Sequence, residues 1–178
     1  MAQPQPSKIG TAFLLVKLAI FTFCVPGTVT VWAPLYWIFP WVRHSITRNA
    51  GLILLAVILL PLGIAGYLWC AMDFAFRGCG TPFPGDPPKV LVVKGLYKYV
   101  RNPMYISVLA VLLGECALFA SRQLLEYSAA IAVMFHLFVL IYEEPELRRQ
   151  MGGAYEDYSR EVRRWIPRLT PRRANHAV

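Results

Sequence analysis

No charged side chain occurs between Leu18 and Val42, and none again between Asn49 and Met72. No other feature limits the fold so strongly. A helix rising 1.5 Å per residue crosses a hydrocarbon core of about 30 Å in roughly 20 apolar residues. Inside that core only helices and closed barrels satisfy their own backbone. Two more apolar stretches follow: one opens near Pro103 and reaches Ala120 with Glu115 as its single charge, and one runs from about Leu124 to Tyr142 with Glu126 near its start. The pattern predicts an all-α integral membrane protein, a single membrane domain over 1–178 with four transmembrane helices near 14–38, 49–72, 103–121 and 124–142. An apolar fraction of 57% against 16% charge agrees, since soluble domains carry about 25% charge.

Within the spans the residue types carry further expectations. Pro26-Gly27 should kink or interrupt the first helix, because proline removes a ladder donor. Trp32, Tyr36, Trp37 and Trp41 gather towards its end as an interfacial aromatic belt, and Lys17 can snorkel near its start. Pro61 gives the second span a potential bend, while Gly63 and Gly66 offer a face for close backbone approach. Glu115 should face the protein interior and not lipid. Ser121-Arg122-Gln123 leaves room only for a tight reversal, with Arg122 and Glu126 four apart on one helix end. His136 sits deep in the fourth span, open equally to a packing role or a place in a site.

The formal charge of +8 reads as the flanking bias of a membrane protein and not as a nucleic-acid surface. Arg77, Lys89, Lys94, Lys98 and Arg101 outweigh Asp73 and Asp86 in the long loop. With the Arg-rich tail they place that loop and both termini in the cytoplasm, in a bacterial inner membrane; the Arg43–Arg48 turn argues mildly the other way. The four cysteines form no CxxC and no Cys/His spacing, so no metal site is predicted. GCGTPFPGDPPK (78–89) is turn and extended chain, and Val90–Val93 is open to strand, interfacial segment or cleft wall.

After Glu144 the composition changes. Residues 143–167 read as one or two short helices, punctuated by Gly152-Gly153 and stopped by Pro167. Arg160, Arg163, Arg164, Arg168, Arg172 and Arg173 outnumber nearby acids, as in an amphipathic segment at an anionic membrane surface.

Two polar clusters remain. Lys94–Tyr105 (KGLYKYVRNPMY) is basic and aromatic and leads into the third span; Tyr142-Glu143-Glu144 closes the fourth. Antiparallel helices joined by a three-residue turn must bring these ends to one membrane face. Arg101, Asn102, Tyr97 and Tyr105 then oppose two carboxylates, roofed by the helices after Glu144. A half-interfacial pocket with both charge signs suits a zwitterionic cofactor beside a lipid-soluble substrate.

In these residues the chain resembles the isoprenylcysteine carboxyl methyltransferase and phospholipid methyltransferase superfamily, in its bacterial branch. That family's Arg-His-Pro-x-Tyr motif, apolar stretch and Glu pair read here as Arg101-Asn102-Pro103-Met104-Tyr105, then the hairpin, then Glu143-Glu144. The tail pattern EExxLxxxFGxxYxxY continues through Leu147, Met151-Gly152, Tyr155 and Tyr158, with Met in place of Phe. The resemblance covers roughly 78–167 and departs at Asn102, whose amide cannot carry a proton at neutral pH.

The resemblance implies an S-adenosyl-L-methionine-dependent methyltransferase that uses no Rossmann fold. Lys94, Gly95, Leu96, Tyr97, Arg101, Asn102, Pro103 and Tyr105 would line the cofactor pocket. Glu143 and Glu144 would hold a polar group of the cofactor, and Tyr155 and Tyr158 would enclose its adenosine. Arg101 and Glu144 are the expected catalytic pair. The acceptor is a lipophilic small molecule or lipid drawn from the surrounding membrane lipids, first an isoprenylcysteine-type carboxylate, alternatively a phospholipid ethanolamine. A non-catalytic scaffold or lipid-binding protein is the third reading. A carboxylate needs no general base in a water-poor pocket; an ammonium does, with Glu115, Glu143 and His136 as candidates.

Overall fold

The computed structural model describes residues 8–38, 46–74, 91 and 93–172, and every regular element among them is helical. Trp41, the Arg43-His44 turn and the Gly/Pro-rich stretch at 78–89 lie outside the described residues.

Helix α1 runs from Lys8 to Cys24 and carries on through π-helical turns at Thr28–Trp32 and Pro34–Ile38. Pro26-Gly27 therefore widens the helix and does not break it. Two hydroxyls help: Thr28 Oγ1 donates to the Cys24 carbonyl, and Thr30 Oγ1 to that of Pro26 at 2.8 Å. They re-satisfy backbone that the loosened ladder would leave bare in lipid.

Helix α2 spans Ala50–Asp73, capped by Asn49, whose side chain accepts from Leu52 N at 3.1 Å. Pro61 stays inside this single helix. Helix α3, Pro103–Phe119, starts with proline in its first turn and stops at Ala120, which adopts the left-handed conformation at φ 47°. Helix α4, Arg122–Phe138, begins one residue later under a Ser121 cap on Leu124 N. The tight reversal is thus built from one left-handed residue and one cap, and Arg122 pairs with Glu126 at 2.8 Å.

Short helices do follow Glu143, and the first is continuous with the fourth span: α4 passes through a π turn at Val139–Glu143 straight into α5, Glu144–Met151. Pro145 lies in the first turn of α5, where its missing N–H costs little. The continuous helix Arg122–Met151 has 30 residues, about 45 Å of rise, so its end projects beyond a hydrocarbon core of about 30 Å. Gly152, at φ 53°, ends it, and α6 follows over Gly153–Glu161. That last helix stops at Val162 and not at Pro167, because the chain from Arg163 onward pairs elsewhere. Arg101 N donates to Arg163 O at 2.9 Å, Arg168 N to Tyr99 O at 2.9 Å and Arg172 N to Lys98 O at 3.1 Å.

Among the described residues three helices are long and apolar enough to cross a membrane: Val16–Tyr36, Ala50–Asp73 and Arg122–Met151. The protein is an integral membrane protein. The third predicted span is shorter, with 17 residues in α3, and is packed closely on α2. A Cβ at Gly63 would lie 2.7 Å from the Ser107 carbonyl, and one at Gly114 2.8 Å from Leu60 Cγ. Larger residues there would force the two backbones apart. The core joins Leu18, Tyr67, Ala71, Val108, Leu112, Ile131 and Phe135, and Tyr127 OH ties α4 to α1 and its π-helical continuation through Val29 O at 2.9 Å.

Candidate functional site

The hairpin delivers the two polar clusters to one another. Arg101 Nη1 lies 3.1 Å from Glu144 Oε1 and 3.4 Å from the Tyr155 hydroxyl. The pair is sequestered, with side-chain exposures of 11% for Arg101 and 3% for Glu144. Glu143 faces the other way and accepts from Tyr105 OH at 2.9 Å. Adjacent carboxylates on one helix thus serve different partners, because neighbours in a helix project about 100° apart.

Two arginines that the sequence placed in a membrane-surface tail close on the same carboxylate. Arg164 donates from Nε to Glu144 Oε1 at 2.6 Å and from Nη2 to Oε2 at 3.0 Å, a two-pronged grip. This bond holds the Arg164 guanidinium above its ordinary value. Arg148, one turn along α5, is the loosest partner at 3.6 Å and is half exposed. The tail is therefore a strap over the site, at least through Arg172, which pairs with Glu161 at 2.9 Å and lies over the Tyr158 ring.

The remaining predicted residues divide clearly. Asn102 is buried and donates to the Arg164 carbonyl at 3.2 Å, so it holds the strap that carries Arg164. Pro103 sets the start of α3 directly behind it. Tyr97 is buried in the Gly95–Lys98 turn, and its carbonyl accepts from Tyr158 OH at 2.8 Å. Burial pushes both phenols well above their ordinary value, so they are neutral groups. Tyr155 and Tyr158 pack with Val162, Leu91 and Val93, which makes the described part of the 90–93 run a wall of this cluster. Gly95 sits at φ 55° against Asp73 and Trp69, where any Cβ would collide. Leu96 packs beside Cys70 and Tyr97. Lys94 is exposed and stands outside the charged cluster.

Of the three candidate bases, only Glu143 stands at the cluster. Glu115 lies 14 positions beyond Arg101, near the far end of α3, about 20 Å away along the axis. His136 has a partner that sequence reasoning missed: Trp165 Nε1 donates to its Nδ1 at 3.0 Å. The Trp165 ring also stands 6.5 Å from that of Tyr105. From this aromatic end a groove of about 470 Å³ runs between the helices, lined by Leu59, Ile106, Leu109, Ala110, Leu113 and Ala132. Among the described residues no three His, Cys, Asp or Glu side chains gather as a metal site.

A family model described as phospholipid methyltransferase matches residues 51–153. The chain belongs to this family of membrane methyltransferases. The matched segment holds Arg101, Glu143 and Glu144, whereas Arg164 and Trp165 lie beyond it. The chain is similar to methanethiol S-methyltransferase 2 of Bradyrhizobium diazoefficiens, 35% identical over 99 residues, 56% of this chain and 35% of that protein. It is also similar to the cobalt-zinc-cadmium resistance protein CzcN of Cupriavidus metallidurans, 28% identical over 121 residues, 67% of this chain and 50% of that protein. The chain spans about a third to a half of the length of these relatives. No solved structure matches it.

Proposed function

We propose that the protein transfers a methyl group from S-adenosyl-L-methionine to a lipophilic acceptor held at the membrane. One observation carries this reading. Arg101 Nε is buried without a hydrogen-bond partner among the described residues, in a cluster that also presents carboxylates and tyrosine hydroxyls. An unspent guanidinium donor beside carboxylates fits a ligand with both a carboxylate and an ammonium group.

In this account Arg101 takes the carboxylate, and Glu144 takes the ammonium as Arg148, its loosest partner, gives way. Tyr155 and Tyr158 wall the nucleoside side. The bound cofactor supplies a methyl group on a sulfonium, open to in-line attack. The strap keeps water from that face, and the groove past Tyr105 and Trp165 brings the acceptor. The short α3 completes a fourth crossing, with the charged cluster at the cytoplasmic surface.

The acceptor we favour is an anion, of the isoprenylcysteine carboxylate type. Arg101, Arg148 and Arg164 face Glu143 and Glu144, three formal positive charges against two negative. A surplus of cation repels an ammonium headgroup and attracts a carboxylate or thiolate. A thiol is the second reading, favoured by the likeness to a methanethiol S-methyltransferase. Incubation with methyl-labelled cofactor and a membrane lipid extract tests both, with labelled ester or thioether expected. Label found only in ethanolamine headgroups would overturn the choice of acceptor.

A further inference from the structure

We infer that His136, locked by Trp165 as a hydrogen-bond donor, is the residue that selects the acceptor, and that it selects an anionic oxygen or sulfur on a short apolar tail. The inference rests on the groove serving the acceptor, as proposed above. An imidazole nitrogen that accepts a hydrogen bond carries no proton. Trp165 can only donate, and it donates to Nδ1 at 3.0 Å. The proton of the neutral ring is therefore on Nε2. In this state His136 has no free lone pair, so it cannot serve as the base that an ammonium acceptor needs. It offers one N–H.

Its position makes that donor consequential. His136 lies seven residues before Glu143 on one continuous helix, about 10 Å deeper into the membrane. Its side chain is exposed to the groove and not buried in the core. No described residue accepts from Nε2. A bare N–H facing hydrocarbon costs free energy unless something polar meets it. Apart from Trp165, whose N–H is already spent on Nδ1, the other six lining residues are aliphatic, so that partner must come with the occupant. From Ile106 to Leu113 the α3 wall extends seven residues, about 10 Å, which sets the length of apolar tail it can cover. Trp165 acts through His136 and is a positioning residue. Trp165 and Arg164 are neighbours on the strap, so the segment that grips Glu144 also fixes the tautomer.

The test uses the full chain in lipid nanodiscs without cofactor, and a pair of photoreactive probes. One is decanoic acid with a terminal diazirine, the other decylamine with the same group. Saturable labelling by the acid, mapped to peptides containing Leu109–Leu113 or Ala132, is expected in the native protein, with none from the amine. His136→Phe should raise the half-saturating acid concentration about tenfold or more. His136→Gln, which keeps an N–H, should stay within about threefold. Nitrogen-15 spectra of labelled histidine should show a protonated Nε2 in the native protein and a mixture of tautomers in Trp165→Phe. That spectral arm stands even if His136→Phe fails to fold. Equal labelling by acid and amine, an unaltered His136→Phe curve, or a proton on Nδ1 in the native protein would each overturn the inference. Acid-selective labelling in a protein that binds no S-adenosyl-L-methionine would instead remove the proposed reaction and leave the anion site standing.

Discussion

Arg101 and Glu144 stand 43 positions apart in the chain and 3.1 Å apart in space. The hairpin of α3 and α4 makes this contact, and the reversal at Ala120–Ser121 makes the hairpin. Everything proposed for the site depends on that closure.

The three arginines around Glu144 should not contribute equally. Arg164 grips both carboxylate oxygens, whereas Arg148 is 3.6 Å away and half exposed. Arg164→Ala should therefore weaken cofactor binding and lower the melting temperature more than Arg148→Ala does. Calorimetry and thermal melts in detergent check both, and equal effects would show that the strap does not organise the site.

Glu144→Gln leaves three guanidinium groups facing an amide in a mostly buried place. Breaking a buried ion pair from one side costs about 3–5 kcal/mol, and here one substitution affects three pairs. Turnover should fall at least about 100-fold, a loss of about 2.7 kcal/mol or more in transition-state stabilisation. The melting temperature should drop further than in Arg101→Ala, which leaves Glu144 two partners. Circular dichroism should still report a helical protein in both variants.

How much of this could be read from the chain depends on whether a feature is local. The helix over the second charge-free stretch and the 121–123 reversal are set by nearby residues, and both were legible for that reason. Gly63 and Gly66 do meet a neighbouring helix closely, as small residues in a membrane helix suggest. The Arg101–Glu144 meeting was legible because a short turn leaves antiparallel helices little choice. The strap was not. Arginine-rich sequence at a membrane fits solvated charge, and nothing local says that Asn102 will hold the Arg164 carbonyl or that Arg101 N will hold that of Arg163. Nor was it legible that the short helices read over 143–167 continue the fourth span, through a π turn at Val139–Glu143 with Pro145 in the first turn of α5.

Close helix packing gives a second stability test. Gly63→Leu would drive a side chain into the Ser107 carbonyl and Val111, costing about 1–3 kcal/mol or more. Gly153→Ala meets nothing within 4 Å and should be neutral or stabilising by up to about 1 kcal/mol. Melting in the same detergent compares them directly.

Tyr97 and Tyr158 give the pH dependence. Burial raises both phenols, so the folded protein keeps protons that the unfolded chain releases near pH 10. The unfolded state then binds fewer protons, and stability must fall as pH rises above about 10. Tyr158→Phe removes one of the two groups and should flatten that alkaline slope. It also removes the bond to the Tyr97 carbonyl, worth about 1 kcal/mol at neutral pH. An unchanged slope would mean that the phenol is not sequestered.

Titration calorimetry of S-adenosyl-L-methionine into the purified protein in detergent, beside Arg101→Ala and Glu144→Gln, bears most directly on the site. The native protein should bind the cofactor at one site per chain, and each variant should lose at least about tenfold in affinity while remaining helical. A folded native protein that takes up no cofactor, or variants that bind as tightly as it does, would contradict the assignment of this cluster.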